Sequence, residues 1–199
     1  MQVPTILFIS GLSCSGKSTL AQNLAVALNG EKIRIDDYYF ETDPAEFEKT
    51  DFDDPNTIDV NLLASHLGAL KSGTAIESPH YDFVECRYTE FRTIHPQPYL
   101  IVEGQYAAYY PALQKLSDMT IFLDVPIETC LNRRLERDQK ILHRSLEDSK
   151  NRFEQRVAPT FVAHRKVIME NSSLCLSSAS QFEWQTAVLA ALQLKACQV

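Results

Sequence analysis

The stretch ILFISGLSCSGKSTLAQNLAVALNG, Ile6–Gly30, decides how the rest of this chain is read. With Thr5 before it, Ile6–Ser10 is a short apolar, β-rich run of the kind buried in a parallel sheet. From Ser18 to Asn29, Leu20, Leu24, Ala27 and Leu28 recur at helical spacing, and Gly30 is a natural stop. A loop that only turned the chain would need two or three special residues. The segment between strand and helix, Gly11-Leu-Ser-Cys-Ser-Gly16-Lys17-Ser18, instead fits G-x-x-x-x-G-K-[ST] at every fixed position. The glycines let backbone N–H groups turn inward around a polyphosphate, and the helix N-terminus adds partial positive charge. Lys17 bridges the terminal phosphates and the Ser18 hydroxyl faces Mg²⁺. Gly11, Ser13, Cys14, Ser15, Gly16, Lys17, Ser18 and Thr19 are therefore the expected nucleotide contacts.

A phosphate-binding loop leaves three classes open: a kinase of a small acceptor, a switch or motor NTPase, and a nucleotide-binding protein without transfer. The rest of the chain narrows them. Lys32–Asp36 (KIRID) reads as a second strand ending in carboxylates, and Pro98–Gly104 (PYLIVEG) and Met119–Val125 (MTIFLDV) as further buried strands. A helix is expected after Asn56 or Thr57, a long one after Pro126, then a strand over SLCLSS and a last helix over Gln181–Ala196. Alternating strands and helices imply a parallel α/β sheet, whose ligands gather beyond the C-terminal strand ends. The loop after Ser10, Asp36 and Glu103 all fall on that edge.

Phosphoryl transfer to a hydroxyl needs a carboxylate to orient the acceptor and take its proton, with Mg²⁺ beside it. Asp36 and Glu103 suit those roles, although strand-end acids also serve as turn caps or face water. Arg134, Arg137 and Arg144 would share a face if one helix covered them. Such a row can clamp a transferring phosphate, or simply pair with acids on a helix surface. No N-K-x-D-like segment that would read guanine is present, which argues against a GTPase switch.

The chain's charge is −7 over 199 residues, which excludes the cationic footprint of a nucleic-acid binder. From Asp36 to Asp59 stand ten acidic residues against Lys49 alone. From Arg133 to Arg144 five basic residues face Glu136 and Asp138. Cys14, Cys86, Cys130, Cys175 and Cys197 are odd in number, with no CxxC pair, which fits a reducing cytoplasm better than a disulfide framework or a zinc site. No stretch approaches the ~18 apolar residues of a membrane span, and no basic region precedes a cleavable apolar segment, so neither membrane insertion nor export is expected. The five histidines lack metal spacing and read as structural, with His80 and His143 the exceptions to watch. The length suits a single α/β domain over residues 1–199; a homo-oligomer is compatible with it and not legible in it.

At Asp51–Asp59 (DFDDPNTID) and Pro79–Arg87 (PHYDFVECR) the chain resembles the uridine kinase family. That family carries N-F-D-x-P and P-x-Y-D-F segments, an E-G-I strand end and an arginine-bearing lid. The likeness runs in the same order from about Val3 to about Lys166 and groups the chain with phosphoribulokinase-type small-molecule kinases. It implies a P-loop sheet flanked by helices, with a helical lid around Arg134–Arg152, ATP as donor, Mg²⁺, and a ribonucleoside such as uridine or cytidine as acceptor. Carried over, Asp36 is the catalytic aspartate, with Lys17, Arg134 and Arg137 in the reaction and Arg144 on the nucleotide. Tyr39, Phe52 and Asp53 bind substrate, Asp53 holding ribose hydroxyls, while Tyr81 and Phe83 flank the base. Ser18, Asp36 and Glu103 surround the metal.

Departures sit in the base-reading shell. Cys86 stands where the family has a histidine that reads the pyrimidine edge, and Gln105 replaces an apolar residue. The lid's R-G-R reads Leu142-His143-Arg144, and Arg152 stands for a glutamine. Two other readings therefore stay beside the first. One is a kinase of another small hydroxyl acceptor, of the nicotinamide riboside or pantothenate type; the other is an NTP-binding regulatory protein without acceptor turnover.

Overall fold

The computed structural model describes residues 3–46, 50–141, 143–177 and 180–196, with Ala196 by its backbone alone. Lys49 of the acidic stretch, Leu142 of the lid triplet and Cys197 lie outside the described residues. Thr5–Gly11 forms β1, Lys17–Ala27 α1, Glu31–Arg34 β2, Val60–Lys71 α2, and Ile76–Asp82 and Arg87–Ile94 form β3 and β4. Tyr99–Glu103 is β5, Pro111–Gln114 α3, Met119–Asp124 β6, Ile127–Ile141 α4 and Leu146–Arg152 α5. A π-helical turn over Phe153–Val157 leads into α6 (Ala158–Glu170), followed by β7 (Leu174–Ser177) and α7 (Gln181–Ala196).

Five strands make one parallel sheet in the order β2-β5-β1-β6-β7. The central strand, β1, buries Ile6, Leu7, Phe8 and Ile9 completely, as an apolar run covered on both faces must. From α1, Leu20, Ala21, Leu24 and Ala25 pack into the same cluster. Each fully buried aliphatic side chain contributes about 1.5–3 kcal/mol relative to exposure, so this layer anchors the loop between β1 and α1. Ile9 lies in register with Glu103 on β5, and Arg34 of β2 with Glu103 from the other side. The phosphate loop, Glu103 and the end of β2 thus stand side by side at the C-terminal edge.

Four local expectations are corrected. The residue that turns α1 is Asn29, at φ 48°, with the Gly30 N–H reaching the Ala25 carbonyl at 2.8 Å. Gly30 is needed for space: a Cβ there would meet the Tyr99 carbonyl at 2.6 Å. The second strand stops at Arg34, and Asp36 sits in a 3-10 turn, Ile35–Tyr38. The cap of α2 is Asp59, whose Oδ1 accepts from the Leu62 N–H at 2.9 Å, while Asn56 and Thr57 lie in an earlier 3-10 turn capped by Asp54. Arg144 is not on a helix with Arg134 and Arg137, because α4 ends at Ile141 and His143 takes a positive φ of 51°. Ser145 then caps α5, accepting from the Asp148 N–H.

The antiparallel hairpin β3–β4 was not anticipated. It packs on the turn after β2, where Tyr38 is wholly buried and bonds His66 Nδ1 at 3.1 Å. In the connection between its strands, Asp82 Oδ1 accepts from the Val84 and Glu85 N–H groups at 2.7 and 3.0 Å.

Candidate active site

One cavity of about 510 Å³ opens at the C-terminal strand edge, and its wall joins two chemically different ends. Ser13, Cys14, Lys17 and Ser18 line the first. The loop backbone explains its glycines. At Gly11, φ +154°, a Cβ would lie 2.8 Å from Ser15 Oγ and 2.9 Å from the Leu123 carbonyl. At Gly16, φ +105°, it would run into the Gln181 amide, which donates to the Gly16 carbonyl at 3.2 Å. Cys14 also takes a left-handed φ, 62°. Lys17, mostly buried, reaches back to the Leu12 carbonyl at 3.0 Å; its ammonium has two further N–H groups for phosphate oxygens. Gly11 and Ser15 are buried behind the loop, and Thr19 is exposed outside the cavity wall.

Between the two ends sit Asp36 and Glu103. Burial, and then the charge of Glu103, push the Asp36 carboxyl up to about 6, against the pull of Lys17. Asp37 faces elsewhere, 3.2 Å from His80 Nδ1 and 3.7 Å from Arg34 Nε. It belongs to a separate cavity between β2 and the hairpin, where Arg92 also pairs with Glu31 at 2.8 Å. The adjacent carboxylates therefore have distinct surroundings, and only Asp36 lines the active-site cavity.

The helical arm α4–α5 closes the phosphate side. Arg134 Nη1 donates to Ser13 Oγ at 3.2 Å and Arg133 Nη1 to the Ser15 carbonyl at 3.3 Å. Arg137, Arg144 and Arg152 complete that wall.

At the other end Tyr39, Phe52 and Phe83 line the cavity as a wall of three rings packed on one another. Their centroids stand 5.2 Å (Tyr39–Phe52), 5.5 Å (Tyr39–Phe83) and 5.6 Å (Phe52–Phe83) apart, all edge-to-face. The Tyr39 hydroxyl fixes the segment by donating to the Phe52 carbonyl at 2.7 Å. Asp53, in the same wall, has its carboxyl raised by burial and drawn down by Arg134. Gln105 donates through Nε2 to the Tyr106 hydroxyl at 2.9 Å, and both line the cavity with Tyr110.

Two expected substrate contacts are not in the wall. Tyr81 is 1% exposed and packs behind Phe83, at 5.2 Å between centroids. Cys86 is wholly buried in the hairpin connection at φ 54°, its thiol 3.7 Å from the Phe83 carbonyl. Sequence reasoning had also passed over Arg133, Tyr106 and Tyr110. Tyr106 and Tyr110 lie just beyond Glu103 in a run of five aromatic or small residues, Tyr106–Tyr110, a signal available in the sequence.

The model of the phosphoribulokinase/uridine kinase family matches residues 6–183. A uridine kinase from Pasteurella multocida is 36% identical over 168 residues, covering 79% of this chain and 78% of that protein. One from Vibrio atlanticus is 34% identical over the same length, covering 79% of each. The chain belongs to the phosphoribulokinase/uridine kinase family. It is accordingly an ATP-dependent small-molecule kinase. Solved structures agree on the P-loop kinase fold: phosphoribulokinase from Rhodobacter spheroides superposes with a TM-score of 0.64 at 13% identity, covering 90% of this chain and 72% of that one. Shikimate kinase from Acinetobacter baumannii gives 0.55 at 14% identity, covering 98% and 95%. Among the described residues no helix is long and apolar enough to cross a membrane.

Proposed function

We propose that this kinase transfers the terminal phosphoryl group of ATP to the 5′-hydroxyl of a ribonucleoside of the uridine or cytidine type. One observation carries the reading: a single cavity holds the phosphate loop, the carboxylate of Asp36 and a wall of three aromatic rings beside Asp53. A planar base stacks on an aromatic face, and a carboxylate that accepts two vicinal hydroxyls selects ribose. Uridine kinases as relatives support the same acceptor class.

In the reaction the acceptor oxygen bonds to the terminal phosphorus, the bond to the bridging oxygen of ADP breaks, and the hydroxyl proton passes to Asp36. Lys17, Arg134, Arg137 and Arg144 face the charge that develops on the equatorial oxygens. The segment over 134–152 acts as a lid on a single domain, excluding water as it closes. Ser18, Asp36 and Glu103 make an all-oxygen donor set in which two carboxylates repel, the arrangement a hard dication relieves. They would hold Mg²⁺, which when bound neutralises phosphate charge. The partner is a small molecule, with no nucleic acid or membrane, and the setting we assign is the cytoplasm.

Gln105 and Tyr106 place hydrogen-bonding groups in the cavity wall, which favours nicotinamide riboside as the second reading, since it keeps both ribose and planar ring. The test is ADP release with uridine, cytidine, adenosine, nicotinamide riboside, pantothenate and no acceptor. Release that depends on a pyrimidine ribonucleoside is expected. Preference for pantothenate would overturn the nucleoside reading, and acceptor-independent behaviour would leave a regulatory nucleotide binder.

A further inference from the structure

Asp138 is fully buried, although its helix carries little else into the interior: of the residues of α4, only it and Cys130 are buried. Cys130, Arg134 and Asp138 recur every four residues, so they form one stripe along the helix, one turn apart. A desolvated carboxylate on such a stripe is expensive unless cations face it. Two do. Asp138 Oδ1 accepts from Arg137 Nε at 2.9 Å and from Nη2 at 2.6 Å. Its Oδ2 lies 3.3 Å from Arg134 Nε, too poorly aligned for a hydrogen bond, and neither atom has another hydrogen-bond partner. Arg134 is thus held by charge and not by a locked fork, with its guanidinium 5.9 Å above the Phe153 ring and Nη1 on Ser13 of the phosphate loop. The backbone joins in, as the Asp138 carbonyl accepts from the Arg144 N–H at 3.1 Å.

We propose that Asp138 is a positioning residue that aims Arg134 and Arg137 at the terminal phosphate of the donor. The inference rests on the phosphoryl transfer proposed above. With Arg137 bonded through Nε and Nη2, and Arg134 bonded through Nη1 and paired only by charge at Nε, each guanidinium keeps one terminal nitrogen for the ligand. Both side chains line the cavity. Without the carboxylate, two like charges a turn apart repel and their forks lose a common reference.

The chain has one tryptophan, Trp184, whose ring packs 3.3 Å from where a Gly16 Cβ would stand, so nucleotide binding at the loop is followed through its fluorescence and, should that stay silent, by titration calorimetry. Affinities for ATP and ADP would be measured this way for wild type and Asp138→Asn, alongside kcat with uridine and thermal unfolding. The expected result is a kcat lower by ~10-fold or more, and ATP affinity lowered ~10-fold with ADP affinity changed less than ~2-fold, because a charge-assisted contact to the terminal phosphate is what is lost. A folded Asp138→Asn with wild-type kcat overturns the proposal, as does an equal loss of ATP and ADP affinity, the mark of a merely structural ion pair. Should Asp138→Asn lose cooperative unfolding, Asp138→Glu decides: it keeps the charge but displaces both forks, so wild-type kcat and ATP-over-ADP preference would overturn the proposal. If wild type shows no uridine-dependent turnover, the function above fails, while the ATP and ADP arms still decide the role of Asp138.

Discussion

The two ends of the cavity are built in opposite ways. The floor of the phosphate end comes from one contiguous stretch, Gly11–Ser18, and works through backbone geometry, with positive φ at Gly11, Cys14 and Gly16 and a lysine folded back on the Leu12 carbonyl; only its arginine wall is brought in from α4 and α5. The acceptor end is assembled from four segments, with Tyr39 after β2, Phe52 and Asp53 before α2, Phe83 between β3 and β4, and Gln105 after β5. Its geometry is one of side chains. A backbone site tolerates exchange of its side chains but not of its glycines, whereas a side-chain site can change ligand one residue at a time.

Asp36 stands where the two ends meet, so changing it should give the largest effect. Asp36→Asn keeps the shape and removes the proton acceptor, and kcat should fall ~10²-fold or more with ATP affinity little changed. Stability should move the other way. Asp36 titrates at about 6 in the folded protein against 3.8 ordinarily, so the folded state holds a proton that the unfolded chain releases. Stability is then greatest below the lower value and falls as pH rises through the higher; the Asp36 side chain is open to solvent in the cavity, which screens the charge and keeps this effect small. Asp36→Asn should therefore raise Tm slightly in mildly alkaline buffer and lose that advantage in acid. A variant both less active and less stable there would place Asp36 in the scaffold and not at the junction.

The same titration predicts the pH profile. The acceptor-dependent kcat/KM should drop about tenfold per unit as pH falls below about 6, since only the ionised carboxylate takes the proton. A profile flat through that window would move the proton elsewhere. Phe83→Ala sharpens the comparison from the acceptor side: losing one ring of the aromatic wall should raise the acceptor KM by roughly 2- to 10-fold, on the scale of 0.5–1.5 kcal/mol for an aromatic pair. ATP binding measured by Trp184 fluorescence should not change. Parallel weakening of both would mean that the two ends are not separable.

The phosphate loop was legible because the pattern that marks it is local. A strand, a glycine pattern, a lysine and a helix start lie within Ile6–Gly30, and the C-terminal edge that gathers Asp36 and Glu103 follows from strand alternation. What was not legible depends on distant packing. Tyr81 and Phe83, two apart on an apparent strand, part company because Phe83 lies beyond β3 in the hairpin connection and Tyr81 turns inward behind it. Cys86 matches the position of a family histidine in sequence, yet the turn at φ 54° carries its thiol away from the cavity. Arg144 shared the basic run with Arg134 and Arg137, but the end of α4 at Ile141 puts it on a loop that reaches the same wall by another route. Asp138 read as an ordinary helix acid; only the fold shows that its side of the helix is dry.

We propose that the acceptor end holds a ribose through Asp53, which kcat/KM for uridine against 2′-deoxyuridine, with ATP as donor, tests directly. A carboxylate left with an unpaired acceptor site in a buried wall loses ~1–3 kcal/mol, so the ribonucleoside should win by roughly 5- to 150-fold. That ratio should collapse toward unity in Asp53→Ala. Equal kcat/KM for the two nucleosides in the wild-type protein would contradict the account.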